Sequence, residues 1–470
     1  MTSDRIASES RTSDTLPTRL RLGYASGSLV TGTFTTVPGL LLLPYLTDTL
    51  GVGAALAGLI VLLPKLWNVV LNPFVGRLSD HTRTRWGARR PFVLGGGLAT
   101  AAAFGLMFSG SASGTLGAVC VALGFFLLAS AFALFQVPYV AIAAESTTSA
   151  RARVRLIGGR VAGIAVAALV AGSVAPALVD AGGGGITGHR WAGLFGAVVV
   201  TVGALGVFLG TVRTPAQAVA KSEPSLRRQV AVARANRPFM ALLRCMTVQV
   251  VATGSLLAGA PYFAEHVLGR SEATGLLVAA FVAPNLFTMP WWSRLGRRRG
   301  NHAGFVLASW VVAGAAVLLF AAPLLPTAAV LLVMLVVGVG HAGQLLFMYA
   351  MLTDCTEHDT VRTGKRQAGV FSGVFSGGET LGLAVAPFLF ALVLQLFGYV
   401  SSETGTAAAQ SGTAKLGVLL GISALPALAT LGGLVLLRGY DRSLVGALPA
   451  QRSRAGSEPA EPPAPSVPSA

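Results

Sequence analysis

The stretch of sequence that decides the fold is residues 68–78, NVVLNPFVGRL, which end the second long apolar segment of the chain. Residues 285–295, NLFTMPWWSRL, end the eighth apolar segment and repeat the asparagine, the proline and the Arg-Leu pair at the same spacing. An arginine-rich loop follows in both places. A repeat at equivalent positions predicts two related six-helix halves that face each other, an arrangement in which transporters place a site near the bilayer midplane.

The composition predicts that lipid is the solvent for most of the chain. The 470 residues are 53% hydrophobic and only 11% charged, with a mean hydropathy of +0.69, whereas soluble chains carry about 25% charged residues. A helix needs about 20 mainly apolar residues to cross the hydrocarbon layer. Twelve segments meet this requirement: 22–46, 54–76, 91–110, 116–142, 156–179, 191–212, 238–264, 273–293, 302–322, 327–353, 367–398 and 416–437. We therefore predict an all-α membrane protein with twelve transmembrane helices in two pseudo-symmetric six-helix bundles.

The positive charges predict the orientation of these helices. Of the 35 Lys and Arg residues, 29 lie in the two terminal segments and in alternate connections, and only three lie in the opposite connections. Basic connections stay in the cytoplasm, so we expect a multi-pass protein of the cell membrane with both termini cytoplasmic. The net charge of +17 is scattered between apolar segments, which argues against a nucleic-acid partner.

The same pattern predicts the domain boundaries. We expect a disordered cytoplasmic N-terminus, a first bundle, a cytoplasmic linker, a second bundle and a disordered cytoplasmic tail that is rich in proline. They cover residues 1–20, 21–212, 213–237, 238–440 and 441–470, respectively.

The loop after the second segment, residues 76–91, reads GRLSDHTRTRWGARRP. It is similar to the major facilitator signature, which has a glycine, an aspartate and closing arginines between helices two and three. The resemblance implies the major facilitator fold and a cytoplasmic latch in which Asp80 pairs with Arg89 and Arg90. We assign Asp354 and Arg366 to the same latch. The alternative is that these arginines only set the orientation.

Five short stretches resemble one branch of that superfamily, the glycoside–pentoside–hexuronide:cation symporters, the group of the melibiose permease. They are Leu22–Tyr24, Leu43–Asp48, Lys65–Pro73, Thr82–Gly87 and Asp354–Arg366. The RWGARRP run also looks like the plant sucrose–proton symporters. The resemblance implies symport of a sugar-like solute with a cation.

This chain departs from the family at the residues that carry its sites. The two helix-two aspartates that bind sodium or a proton in the family are Asn68 and Asn72 here, and an amide supplies no charge and no proton site. A sugar-binding aspartate of helix four falls on Gln136, and the lysine of helix eleven falls on Thr380. By this resemblance we predict that Asn68, Asn72, Gln136, Thr380 and the basic Arg160 bind the solute. The alternative for the amides is hydrogen bonding between helices.

Glu379 is the only acidic residue that we place well inside a predicted segment. A charge near the bilayer centre costs about 2.5–3.5 kcal/mol on insertion scales, so such residues usually line a cavity and have partners. Lys65 and Arg160 are the candidate partners. We predict that Glu379 binds and releases the coupling proton, with Lys65 taking part in the coupling. The alternative is a static ion pair between helices.

Taken together, the sequence predicts a secondary active transporter that moves a small polar or amphipathic solute, of the sugar or glycoside type, by alternating access. The predicted coupling ion is a proton, with sodium as the second choice. Two alternatives stay open: a uniporter or exporter of a non-sugar metabolite, and a non-transporting membrane receptor or scaffold. We see no HExxH, GxSxG or metal-ligand spacing, so we expect no enzyme, no catalytic residue, no metal and no cofactor. We expect a monomer in a lipid bilayer.

Overall fold

The computed structural model describes residues 16–110, 113–147, 149–212, 226–364, 367–402 and 408–440, and all regular structure in these ranges is helical. The first half contains α1 (Thr18–Pro44), α2 (Ala54–His81), α3 (Arg90–Met107), α4 (Gly114–Glu145), α5 (Ala150–Ala181) and α6 (Gly185–Thr211). A linker helix, Leu226–Ala235, follows. The second half contains α7 (Arg237–His266), α8 (Ala273–Val282, Pro284–Phe287 and Met289–Arg299), α9 (Asn301–Leu318), α10 (Thr327–Thr363), α11 (Ala368–Leu396) and α12 (Gly412–Ile422 and Ala424–Leu437). A π-helical turn, Tyr45–Thr49, extends α1, and a 3-10 turn, Leu319–Leu324, extends α9.

The predicted twelve crossings are confirmed. Within the described ranges, eleven helices are long and apolar enough to span a bilayer, and α8 is the twelfth when its bent pieces are counted as one span. The bend in α8 measures 55° and lies between Pro284 and Pro290, each near the start of a helical piece. Proline lacks the N–H that a helix interior needs. Pro290, the proline of the repeated motif, therefore coincides with the break in α8.

Small residues bring the helices of each half into backbone contact. A Cβ atom added to Gly23 of α1 would lie 2.5 Å from the Cα of Gly210 in α6, and one added to Gly382 of α11 would lie 2.5 Å from the carbonyl oxygen of Thr247 in α7. Membrane helices lack a hydrophobic driving force between them, so close packing of small residues takes its place. Each half is therefore a tightly packed bundle.

The two halves meet through α2 against α11 and through α5 against α8. A Cβ atom on Gly58 of α2 would lie 2.8 Å from that of Ala391 in α11, and one on Gly172 of α5 would lie 2.4 Å from Val278 in α8. These contacts and several hydrogen bonds lie at the end of the molecule where α1, α7 and α11 terminate. We call this the closed end.

The structure differs from the predicted boundaries in two places. The helix Leu226–Ala235 lies inside the segment that we predicted as a linker. Arg362 of α10 donates to the carbonyl oxygen of Ala235 at 3.2 Å, so the linker helix is bound to α10. The helix α1 begins at Thr18, three residues inside the predicted N-terminal segment. The predicted disorder of the termini otherwise concerns residues 1–15 and 441–470, which lie outside the described residues, as does Arg366.

Candidate functional site

Glu379 of α11 and Arg160 of α5 lie on opposite halves and interact electrostatically. The hydroxyl of Tyr349, on α10, donates a long hydrogen bond of 3.5 Å to Oε2 of Glu379. Tyr349 is 47% exposed, so the hydrogen-bonded pair of Tyr349 and Glu379 borders accessible space. Glu379 and Arg160 were predicted from the sequence, whereas Tyr349, which lies thirty positions from Glu379 in another helix, was not.

Arg160 interacts with Glu379 and with the Tyr139 side chain. Its guanidinium lies 5.5 Å from the centre of the Tyr139 ring, a cation–π contact, and its buried Nε has no hydrogen-bond partner. The Tyr139 ring is held in place because its hydroxyl donates to the carbonyl oxygen of Tyr24 at 2.7 Å. The backbone is fixed as well, since Ser28 donates to the carbonyl oxygen of Arg160 at 2.8 Å. Arg160 therefore presents a positioned cation with an unused donor.

Lys65 of α2 reaches the same helix as Glu379. Its Nζ donates to the carbonyl oxygen of Leu383 at 3.3 Å, one helical turn beyond the carboxylate. The bond crosses from the first half to the second, but it leads to the backbone and not to the side chain of Glu379. We call Lys65, Arg160 and Glu379 the central charge cluster.

The predicted amides differ in their surroundings. The Oδ1 atom of Asn68 is buried and has no hydrogen-bond partner, whereas Gln136 accepts from the Thr31 hydroxyl at 2.8 Å and so links α4 to α1. Asn72 is partly buried. Thr380 donates to the Ser376 carbonyl oxygen of its own helix at 2.9 Å. Among the described atoms of these four residues, Oδ1 of Asn68 is buried without a partner, and the solute-binding roles stay predictions.

The predicted latch residues form a network inside the first half. Arg89 forms an ion pair with Asp80 and a second one with Glu145, with 2.8 Å between Arg89 Nε and Glu145 Oε1. Arg90 donates to the carbonyl oxygen of Trp86 at 2.9 Å. The network joins the end of α2, the start of α3 and the end of α4. Glu145 was missed because nothing in its local sequence connects it to a loop 56 positions earlier.

An equivalent link lies in the second half. Asn301, at the start of α9, donates to Oδ2 of Asp354 in α10 at 3.0 Å. Arg89 joins the start of α3 to the end of α4 in the corresponding way. In this conformation both sets of contacts stay within their own half, so a latch between the halves stays a prediction.

The closed end contains a hydrogen-bond network that the sequence analysis also missed. Tyr399, just after α11, donates its hydroxyl to Oδ1 of Asp48 at 2.8 Å. A hydroxyl has one hydrogen, so its oxygen accepts from Nε2 of His266, also at 2.8 Å. Beside it, Thr47 and Tyr262 share a hydrogen bond of 2.7 Å. Asp48 and Thr47 belong to the first half, and their partners belong to the second.

The backbone adds to this closure. The amide of Ser402 donates to the carbonyl oxygen of Thr47 at 2.9 Å, and the Ser401 hydroxyl donates to that of Val52 at 2.8 Å. Our predicted first span ended at residue 46, so Asp48 was placed in a loop. The structure instead continues α1 through a π-helical turn that carries Asp48 into the interface.

Solved structures of similar shape are transporters. The chain superposes on a bacterial homologue of the human lysosomal transporter Spinster with a TM-score of 0.69 and 14% identity, over 91% of this chain and 97% of that one. It superposes on a D-xylose–proton symporter with a TM-score of 0.62 and 14% identity, over 90% and 98% of the two chains. At this identity the likeness shows the fold, which is the predicted major facilitator arrangement.

Sequence relatives identify the branch. The glucuronide carrier protein homologue of Escherichia coli (strain K12) is 24% identical and is aligned over 83% of this chain and 86% of its own length. The isoprimeverose transporter of Lactiplantibacillus pentosus is 25% identical over 78% and 77% of the two chains. The family model described as MFS/sugar transport protein matches residues 23–441. The chain therefore belongs to the MFS/sugar transport protein family, in the glycoside–pentoside–hexuronide:cation symporter branch of the major facilitator superfamily, and is a multi-pass secondary transporter.

Proposed function

We propose that this protein is a proton-coupled symporter that carries a sugar or glycoside across the cell membrane by alternating access. The observation that carries the proposal is the electrostatic interaction between the two halves near the centre of the spans. Glu379 and Tyr349 belong to the second half and Arg160 to the first, and the carboxylate and the guanidinium interact electrostatically. A titratable group that faces a cation on the opposite half feels a different field whenever the halves rock.

The solute class is supported by relatives. One is a glucuronide carrier homologue, one an isoprimeverose transporter, and a third is a putative glycoside/cation symporter of Escherichia coli (strain K12), 25% identical over 82% of this chain. We propose a proton, carried by Glu379, as the coupling ion, because the family's cation site in helix two has lost its carboxylates to Asn68 and Asn72 and Glu379 is a titratable group that remains between the halves. The buried Oδ1 atom of Asn68 has no partner, so it can accept a hydrogen bond from a sugar hydroxyl.

We also propose that both termini lie in the cytoplasm, as the distribution of Lys and Arg predicts. The closed end then faces the outside, since α1, α7 and α11 run outward from the cytoplasm. By this proposal the central charge cluster is reached from the cytoplasm in this conformation, since Tyr349 beside it is 47% exposed, and opening of the closed end exposes it to the other side. We propose a monomer as the transporting unit.

The test is uptake of labelled glycosides by purified protein in liposomes under an imposed pH gradient. We expect wild-type protein to accumulate the solute when the gradient is present, with or without sodium. Glu379→Gln should abolish gradient-driven accumulation and preserve exchange of solute across the membrane. Glu272→Gln is the control, because Glu272 is exposed and lies outside the central charge cluster.

Three outcomes would contradict the proposal. Undiminished accumulation by Glu379→Gln would remove this residue from coupling. Accumulation that requires sodium and ignores the pH gradient would assign coupling to another cation. Equilibration of solute without accumulation under any gradient would make the protein a uniporter.

A further inference from the structure

One arginine lies inside a membrane span but outside the central charge cluster. Arg244 belongs to α7, whose helix Arg237–His266 is long and apolar enough to cross a bilayer. It lies seven residues after Arg237, about 10 Å along the helix at 1.5 Å per residue. Arg244 is exposed, and its Nε donates to the carbonyl oxygen of Met240 at 3.1 Å, so its side chain runs back toward the start of α7. No described carboxylate forms an ion pair with it.

The neighbours of Arg244 on α7 show which way it points. Leu243 faces α11, because a Cβ atom added to Gly378 would lie 2.7 Å from its side chain. Val248 faces α12, because a Cβ atom added to Gly432 would lie 3.9 Å from it. At 3.6 residues per turn, Arg244 is about 100° around the helix from Leu243 and about 40° from Val248. It therefore points into the gap between α11 and α12, where the surface of the molecule meets lipid.

The α11 wall of this gap is a row of three glycines at intervals of four residues, on one side of the helix: Gly369, Gly373 and Gly377. A Cβ atom added to any of the three would have no described atom within 4 Å. Gly377 and Glu379 flank Gly378, which faces α7, and they lie about 100° from it in opposite directions. Because Glu379 faces the first half across the interior, the glycine row faces outward. We call the gap between Arg244 and these three glycines the outer groove.

A lipid-facing arginine needs a negatively charged partner. A charge in the hydrocarbon layer is costly, and long basic side chains therefore extend to the headgroup level. A guanidinium has five N–H donors, and the Nε bond to Met240 uses one of those of Arg244. The four on its two Nη atoms match two oxygens of a phosphate group. Arg237 is also exposed and lies on the same side of α7, about two turns nearer its start, which adds a second positive charge.

We propose that the outer groove binds one anionic phospholipid of the phosphatidylglycerol type, in the leaflet that the start of α7 crosses. Arg244 binds two phosphate oxygens, and an acyl chain lies along the glycine row, where no Cβ atom keeps it from the backbone of α11. The two arginines favour a headgroup with net negative charge over a zwitterionic one, whose own cation competes with them. These residues all belong to the second half, so the lipid stabilises that half without joining it to the first.

The test is the thermal unfolding midpoint of the purified full chain in detergent, titrated with dioleoyl phosphatidylglycerol or dioleoyl phosphatidylcholine. The two lipids have the same acyl chains and differ in headgroup charge. We expect phosphatidylglycerol to raise the midpoint in a saturable way, at a concentration about tenfold lower than phosphatidylcholine requires. Inorganic phosphate should leave the midpoint unchanged, because it has no acyl chain to fill the groove.

Two groove variants and one control separate this site from general attraction between charges. Arg244→Gln should weaken the response to phosphatidylglycerol about tenfold or more, since it removes a charge-assisted contact. Gly373→Leu should weaken it with every charge intact, because the new side chain occupies the groove, and the fold accepts it because a Cβ atom there meets open space. Arg298→Gln should respond as wild type, because Arg298 is exposed at the end of α8, outside the groove. The midpoint without added lipid reports whether each variant is folded.

Four results would overturn the proposal. Equal responses to the two lipids would exclude recognition of headgroup charge. Equal weakening by Arg244→Gln and Arg298→Gln would indicate diffuse attraction between the lipid and a basic surface. An undiminished response of either groove variant would place the lipid elsewhere on the molecule. A rise in the midpoint with inorganic phosphate alone would make the groove a site for a soluble anion.

Discussion

Tyr399→Phe is the substitution that tests the closed end most directly. It removes one hydroxyl and keeps the ring, which packs edge-on against Tyr262 with 5.4 Å between ring centres. The hydroxyl donates to Asp48 in the other half and accepts from His266, both at 2.8 Å. The change therefore removes polar contacts between the halves with little loss of packing.

The size of the effect follows from those contacts. A hydrogen bond to a charged group contributes about 1.5–3 kcal/mol, and every 1.4 kcal/mol is a factor of about ten in an equilibrium constant. We expect the population in which this end is open to rise roughly 10- to 100-fold. The bond between Thr47 and Tyr262, at 2.7 Å, stays in place, so closure is weakened and not abolished. Asp48→Asn should have a smaller effect, because its amide oxygen can still accept from Tyr399.

The assay is labelling of a single cysteine from the outside by an impermeant maleimide. Leu257 is a suitable position, because a Cβ atom on Gly39 of the other half would lie 3.1 Å from it, just inside the closed end. Cys120 is exposed and is first changed to serine. We expect Leu257→Cys to be labelled 10- to 100-fold faster when combined with Tyr399→Phe, provided that the closed end faces outward.

Tyr440→Phe is the matched control, since Tyr440 pairs with Cys355 of the same half. It should leave the labelling rate of Leu257→Cys unchanged. A rate in the Tyr399→Phe background within a factor of two of its parent would refute our reasoning, because these contacts would then contribute nothing to closure.

Two further predictions concern stability, measured as the thermal unfolding midpoint in detergent. Arg89→Gln should lower the stability by about 1–3 kcal/mol, because it leaves two carboxylates without their ion-pair partner. Asp80→Asn should lower it less, since the Asp80 side chain is 47% exposed. Equal losses of stability in the two variants would argue against a network centred on Arg89. Gly210→Ala should cost about 1–3 kcal/mol through overpacking, because its Cβ would lie 2.4 Å from the Cα of Gly23. A Cβ atom added at Gly95 would have no atom within 4 Å, so Gly95→Ala should leave the stability unchanged. An unchanged stability of Gly210→Ala would mean that α1 and α6 separate easily.

The crossings and the two halves could be predicted because they depend on local composition. Apolar length decides whether a segment spans the bilayer, and the sign of the flanking charge decides its direction. The same logic found Glu379 and Arg160, since a charge inside an apolar segment stands out in the sequence. The proline that the repeat shares, Pro290, lies next to the 55° bend of α8, but the repeat alone did not predict the bend, since α2 continues unbroken through Pro73.

Residues that act through distant partners could not be predicted in this way. Glu145 ends an apolar helix and reads as a boundary, although it forms an ion pair with Arg89. Asp48 and Tyr399 lie 351 positions apart, and no periodicity links them. Lys65 was predicted as a partner of Glu379, but the length of its side chain carries its ammonium group past that carboxylate to the backbone of α11.

The two ends of the molecule differ in whether their polar contacts join the two halves. At the closed end, Asp48 and Thr47 bond directly to the second half, whereas at the opposite end Arg89 and Asp354 bond within their own halves. Bonds within a half stiffen it, and bonds between halves hold them together, so the closed end is where the halves must separate. The central charge cluster lies between these two ends and spans both halves. Because Arg160 and Glu379 belong to different halves, binding of a solute or a proton in the cluster changes the interaction between the halves, and loading can thereby shift the equilibrium between conformations.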